Sequence, residues 1–453
     1  MNLRSWVIGG NNILRIAKSG DSHSAQPGAS YDFGRSTCMW GRDDGLSPPA
    51  ETLLPLFQEN KMSAVFNPLV ASILPPPVPS VFAWARAYDG SKGPAIDLSQ
   101  AVPGYPAHED ILGWLAEASG SLAYTGYGPI EGETLLRDVY AGHVGAIYGV
   151  GLNAGNIHIT SGCNQAFMCA AMAVAGAGDT VALTNPFYFN QDTTLEMLGI
   201  NRVLIECAAE NGFLPKIEDV DAVLSKGVKA LAVVTPNNPT GAVYSPSLLA
   251  EIFHACRKHG AWLILDETYR DFLPPGDDRP HDLMKIEGWE KNLIMLYSFS
   301  KSYCIPGHRL GAITAGEKAL FEITKIMDNL QICAPRAPQA AVAKAIPALV
   351  EWREANRSEI ALRADALRRV MRELPEWGLA SAGAYFAFVR HPFDGVSSAA
   401  VAEKMAREFG VVCLPGSYFG TGQDGFLRFA FANAGAKTIE GLASRLKDFS
   451  MAG

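Results

Sequence analysis

Between residues 106 and 330 the apolar positions fall into runs of four to six, separated by stretches in which they recur at helical spacing. A short continuous apolar run suits a strand buried on both faces, and the wider spacing suits a helix with one side on the core. Seven runs read as strands: IHIT (157–160), VALT (181–184), RVLIE (202–206), ALAVV (230–234), WLILD (262–266), LIMLYS (293–298) and LGAIT (310–314). Strands alternating with helices predict an α/β fold, a wide and mostly parallel seven-stranded sheet wound by helices on both faces. The run AFMCAAMAVAGAG (166–178) falls short of the roughly 18 apolar residues that cross a bilayer and reads as a buried helix.

Beyond about residue 315 the pattern changes. EKALFEITKIMDNLQ (317–331) and residues 339–374 are long helical patterns, the second interrupted at Pro347. YFAFV (385–389), VVCLPG (411–416) and FLRFAFA (426–432) follow as strands, and AKTIEGLASRLKDF (436–449) as a closing helix. Upstream, the prolines of PPPVPS (75–80) lead into a short helical pattern, VFAWARAYDG (81–90), and AIDLSQAVPGYP (95–106) reads as a strand entering a loop. The predicted division is an extension over 1–61, an N-terminal arm over 62–105, a large domain over 106–330 and a small α+β domain over 331–453 that the arm joins. The extension carries Arg4, Arg15 and Lys18 before its first acid, Asp21, a weak likeness to an organelle transit peptide; GDSHSAQPGAS (20–30) then reads as disorder. A mis-called start or a loose tail is the expectation for it.

Composition narrows the function. Of 453 residues, 48% are hydrophobic and 19% charged, the profile of an ordinary folded protein. A net charge of −8 gives no general pull towards nucleic acid or an anionic membrane, so neither is expected as a partner. Eight cysteines lie scattered without a C-x-x-C pair or zinc-like spacing, which points to reduced thiols, a cytoplasmic enzyme and no metal site. GTGQDG (420–425) matches a dinucleotide-binding glycine pattern, but a strand follows it where a helix is required, so it reads as a hairpin loop.

Candidate chemistry gathers at strand ends. LIMLYSFSK delivers Lys301 from a buried strand, where apolar surroundings lower an amine's pKa and ready it for covalent work. Ser298 and Arg309 flank it with a hydroxyl and a guanidinium suited to a phosphate ester. IHITSGCNQAFMCAAM runs strand, turn, helix, so the backbone around Gly162, Cys163 and Asn164 opens a helix N-terminus towards an anion. WLILDETY ends an apolar strand on Asp266, with Tyr269 close behind; a buried carboxylate needs a cation such as a protonated ring nitrogen, or else caps the following turn. VVTPNNPTG holds Asn237 and Asn238 on a stiff turn. Together these groups suit one cofactor, pyridoxal 5′-phosphate.

The order and spacing resemble the fold-type I aminotransferases of the class I/II, aspartate-aminotransferase-like family over about residues 95–450. S-x-S-K-x-x-x-x-x-G-x-R-x-G appears as Ser298 to Gly311, N-P-T-G as Asn238 to Gly241 and D-x-x-Y as Asp266 to Tyr269. The resemblance implies that Lys301 holds the cofactor aldehyde and later shuttles a proton, that Asp266 keeps the pyridine nitrogen protonated, and that Tyr269 and Asn238 bind the ring oxygen. It further implies phosphate contacts from Ser298, Arg309 and the Gly162–Asn164 turn, an aromatic at Tyr188 stacked on the ring, and Tyr127 of YGPIEG reaching the phosphate of a neighbouring subunit in a homodimer. Arg428 of GFLRFAFAN would clamp the substrate α-carboxylate; an internal salt bridge is the competing reading.

Two departures stand out. Ala101 in LSQAVPGYP occupies a position where many relatives carry glycine, in a loop that helps form the substrate pocket, and Cys163 replaces a more usual serine or glycine. Arg336 is a candidate for a distal carboxylate, with a surface role as the alternative. The implied reaction is transfer of the amino group of an L-amino acid to a 2-oxo acid by a ping-pong path. β-Elimination from a sulfur amino acid on the same cofactor is the runner-up, and a cofactor-sensing regulatory domain the third reading.

Overall fold

The computed structural model describes residues 64–276 and 279–451; the extension expected over 1–61 lies outside them. Its strands, in chain order, are β1 (Ile96–Asp97), β2 (Ile157–Thr160), β3 (Thr180–Asn185), β4 (Asn201–Glu206), β5 (Ala230–Val234), β6 (Trp262–Asp266), β7 (Leu293–Ser298), β8 (Gly311–Ala315), β9 (Gly378–Gly383), β10 (Phe386–Arg390), β11 (Val411–Val412), β12 (Leu414–Pro415) and β13 (Phe426–Phe429).

All seven expected strands join one sheet, in the order β2-β8-β7-β6-β5-β3-β4. Only β8 runs against its neighbours. Every residue of β5 and β7 is buried, which accounts for their unbroken apolar runs. At the edge, β4 exposes Asn201 and Arg202, polar residues that discourage further strand pairing. Register decides where chemistry can sit. Val234 pairs with Asp266, and Asp266 with Leu296, so β5 and β6 end level and β7 runs two residues further, to Ser298. The segments that follow them therefore leave from a single edge, the C-terminal edge at which open α/β sheets hold their ligands.

A second, antiparallel sheet has the order β12-β13-β10-β9, and β1 pairs in parallel with β11, joining the N-terminal arm to the C-terminal part. The helix Pro77–Arg86 buries Val81 and packs on the helix Ser398–Phe409. The helix Arg336–Ala348 lies against the helices Glu109–Ser119 and Thr134–Tyr148.

Several local expectations shift. The helix begins inside the proline cluster, at Pro77, because proline's fixed φ and missing N–H suit a first helical turn. The interruption expected at Pro347 falls two residues later, at Leu349, between Arg336–Ala348 and Val350–Arg372. VVCLPG divides at Cys413 into strands of two different sheets, and the closing helix is two short helices that meet at Gly441. GTGQDG lies in the connection between the antiparallel β12 and β13, as a hairpin loop should. No described helix is long and apolar enough to cross a membrane.

Candidate active site

At the C-terminal edge lies a cavity of about 270 Å³. Its walls include Ala101, Cys163, Asn164, Tyr188, Asn238, Asp266, Tyr269, Ser298, Lys301, Arg309 and Arg428, so eleven side chains singled out along the chain converge on one space.

Lys301 arrives there because β7 ends at Ser298, whose Oγ accepts from Ser300 N at 3.3 Å and so caps the turn Phe299–Ser302. Its Nζ donates to the carbonyl oxygen of Ala101 at 2.6 Å. Burial, aided by the positive charges of Arg309 and Arg428, lowers the amine to about 8. Ala101 thus enters the site through its carbonyl, a contact that the change from glycine leaves possible.

Asp266 ends β6 and is buried. Its Oδ1 accepts from Thr268 N at 3.0 Å and Thr268 Oγ1 at 2.7 Å, and its Oδ2 from Gln191 Nε2 at 3.1 Å. The turn-capping alternative therefore describes one oxygen and leaves the other facing an amide. Burial raises this carboxyl, against the pull of the Thr268 and Cys163 donors, and no ion pair joins it among the described residues. Cys163 was expected to serve through its backbone; its thiol also donates to Asp266 Oδ1, at 3.5 Å.

The anion cradle depends on Gly162, the residue before the twelve-residue helix Cys163–Val174. Its φ of +91° lies where side chains are strained, and a Cβ there would stand 2.4 Å from Arg309 Nη2. Arg309, itself at φ +50°, is held by Nη1 donating to Pro306 O at 3.0 Å. Helix N–H groups and a guanidinium thus face the same space, the arrangement that suits a phosphate.

On the other side, Arg428 on β13 is buried at 3% exposure. It donates through Nη1 to Asn238 Oδ1 at 3.0 Å and through Nη2 to Ser99 O, while Nε has no partner. No carboxylate pairs with it among the described residues, which removes the internal salt bridge. Burial lowers even this guanidinium to about 10. Asn237 shapes the turn, its Oδ1 accepting from Thr240 N and Oγ1, and this frees Asn238 to face the cavity. Tyr269 packs edge-on against Phe386, with ring centroids 5.0 Å apart, and burial holds its phenol well above the usual range. Tyr188 accepts from Asn190 Nδ2 at 2.7 Å.

Two singled-out residues lie elsewhere. Tyr127 is 80% exposed, and Arg336 is tied to Glu133 at 2.5 Å and to Gly126 O at 3.2 Å, away from the cavity walls. Thr268, Gln191 and Val78 escaped the sequence reading. Thr268 could have been found two places after Asp266, as an Asx-turn partner. Gln191 and Val78 carry no signal of their own, since only folding brings them to the site. Among the described residues, no cluster of His, Cys, Asp and Glu could hold a metal ion.

Comparison with known proteins agrees with this geometry. Residues 94–446 match the family model of aminotransferase class I and II. An aromatic aminotransferase of Arabidopsis thaliana is 27% identical over 377 residues, covering 81% of this chain and 92% of its own length. A valine–pyruvate aminotransferase of Mycobacterium tuberculosis is 28% identical, with 81% and 95% covered. The substrate-bound structure of BacF from Bacillus subtilis superposes with a TM-score of 0.78 at 25% identity, covering 85% of this chain and 98% of that one. With a match over most of its length and the fold to accompany it, the chain belongs to the aminotransferase class I and II family.

Proposed function

We propose that this aminotransferase uses pyridoxal 5′-phosphate and takes its amino group from L-amino acids with uncharged side chains. The observation that carries the reading is the convergence of Lys301, an unpaired buried carboxylate and an unpaired buried guanidinium on one cavity. Among the described residues Asp266 and Arg428 each lack an oppositely charged partner, which different parts of one complex would supply. Bound there, pyridoxal phosphate supplies an aldehyde, a ring that takes up electrons and a phosphate anchor.

The chain's own residues fit that group. Gly162, the helix N-terminus, Asn164, Ser298 and Arg309 bind the phosphate, in a cradle that a Cβ at 162 would fill. Asp266 offers its carboxylate to a protonated ring nitrogen, the cation that a buried carboxylate requires. Cys163, Thr268 and Gln191 fix the direction of that carboxylate. Tyr269 would donate a hydrogen bond from its phenol to the ring oxygen. Asn238 presents its NH₂ to the same oxygen, since Arg428 already occupies its Oδ1. Tyr188, on the cavity wall, would offer its ring to the face of the cofactor ring. Lys301, its amine lowered to about 8, would hold the cofactor and carry the proton taken from the substrate's α-carbon.

Arg428 takes the substrate α-carboxylate, whose bidentate pairing would also satisfy the orphaned Nε. Asp266, Lys301, Arg309 and Arg428 then each have an assigned partner, and among the described residues no other charged one lines the cavity. Val78, Val102, Phe189 and Gln100 are among the walls left to meet the side chain, with Ala101 beside them, which favours an uncharged and largely apolar one. Tyr127 reaches a neighbouring subunit's phosphate in a homodimer. Its exposure, with Leu122 and Leu135 of the flanking segments also exposed, supports a covered surface there. The cytoplasmic location read from the scattered thiols remains part of this proposal.

The test is a half-reaction. Holoprotein given an amino acid and no acceptor should convert one equivalent of cofactor to its amine form, fastest with apolar amino acids. Faster conversion by aspartate or glutamate would overturn the substrate class, and the absence of any conversion would overturn the cofactor.

A further inference from the structure

Asp266 and Lys301 follow neighbouring strands, and a single carboxylate ties together the segments that carry them. Asp271 lies one short loop beyond Asp266 and turns away from the cofactor cavity, towards a second cavity of about 210 Å³ that it lines with His143 and Arg353. Its Oδ2 accepts from the hydroxyl of Tyr297 on β7 at 2.5 Å and from the hydroxyl of Ser302, the residue after Lys301. The two hydroxyls are themselves 2.8 Å apart, so three groups meet at one point behind the lysine.

That point matters because the turn Phe299–Ser302 is only four residues long. Such a turn has few bonds of its own, and its placement depends on ties to the surrounding structure. Asp271 is well made for the task. Burial opposes its charge, but Arg270, Arg353 and the two hydroxyls outweigh burial and hold the carboxyl below its usual range. A charged acceptor binds hydroxyls more tightly than a neutral one does. The Arg270 guanidinium lies 4.1 Å over the Tyr297 ring, and Arg353 approaches Oδ1 to 4.0 Å, so the acceptor is itself confined.

We propose that Asp271 is a positioning residue that locks the lysine-bearing turn to the segment following β6, through Ser302 and Tyr297, and thereby fixes the Lys301 amine relative to Asp266. The inference rests on the reading that Lys301 and Asp266 hold the cofactor. Released from Asp271, the turn would shift by a fraction of an ångström without unfolding, and an amine on a long side chain would lose its alignment with the reacting carbon.

The experiment compares Ser302→Ala and Asp271→Asn with the wild-type holoprotein. Three quantities are measured: kcat and KM separately, the midpoint of the spectrophotometric pH titration of the lysine-bound cofactor, and the melting temperature of the apoprotein. Ser302→Ala should lower kcat about tenfold while KM changes little, the pattern expected of lost alignment. The titration midpoint should move by about half a unit or more, with the melting temperature nearly unchanged. Asp271→Asn should change the same quantities in the same direction, and the double variant should be no worse than the more affected single one. A wild-type kcat and midpoint in Ser302→Ala would overturn the proposal, as would a loss of activity that follows melting temperature with an unmoved midpoint. Should Asp271→Asn fail to fold, Ser302→Ala decides alone. Borohydride trapping on the wild type separates the two readings. A tag away from Lys301 sinks the cofactor assignment, whereas a tag on Lys301 with Ser302→Ala unchanged sinks only the positioning role.

Discussion

Adding a single methyl group to Gly162 tests the phosphate cradle. At φ +91° and ψ 167°, a region left essentially to glycine, an alanine is strained by about 1–3 kcal/mol, which should appear as lower stability of the apoprotein. The new Cβ would stand 2.4 Å from Arg309 Nη2, 3.0 Å from Cζ and 3.4 Å from Nη1. All three atoms are the far end of one flexible side chain, so the guanidinium swings aside and the backbone stays in place. What is lost is a charge-assisted contact worth about 1.5–3 kcal/mol, which corresponds to a fall in cofactor affinity of roughly tenfold to a hundredfold. Titrating apoprotein with pyridoxal phosphate, followed by absorbance, gives the affinity, and urea unfolding of the same preparations gives the stability. Gly162→Ala that folds and binds the cofactor as tightly as the wild type would refute the cradle. Loss of the fold would refute the claim that Arg309 yields first.

Other consequences follow from the same site. Lys301 is depressed to about 8 from 10.5, so the folded apoprotein loses this proton where the unfolded chain still holds it. Capture of pyridoxal phosphate by apoprotein should therefore rise through pH 8 and level off, and stability should recover between pH 8 and 10.5 as the charged amine disappears. A capture rate still climbing steadily at pH 10 would contradict the assignment. Arg428→Met should leave cofactor bound while raising the amino-acid KM about tenfold to a hundredfold; an unchanged KM would exclude the α-carboxylate role. Tyr127→Phe should weaken cofactor binding about tenfold without altering the melting temperature of an exposed position, and unaltered affinity would remove the residue from a partner's site.

The seven-stranded sheet was legible because its central strands are continuous apolar runs, and burial on both faces demands them. β9 was not: GLASAG has small residues in place of an apolar pattern and gains its place by pairing with β10 across a bulge. Lys301 and Asp266 could be found because each ends or follows a strand in a setting that its charge would otherwise avoid, and Arg309, exposed just ahead of β8, because of its spacing from Lys301. The direction of the Cys163 thiol, the reach of Gln191 to Asp266 and the entry of Val78 from a proline-rich segment could not. Periodicity tells which face of an element is buried, but it does not name the side chain waiting on the other side. Asp271 illustrates the same limit. In sequence it is one more acid after a strand, and only the approach of β7 reveals the two hydroxyls that it holds.

One amine, that of Lys301, stands at the centre of the site. Purified holoprotein reduced with borohydride, digested and mapped by mass spectrometry should carry the pyridoxyl-phosphate mass on the peptide containing Lys301, at that residue. A mass addition on another lysine, or none on a protein that is catalytically active, would contradict the account.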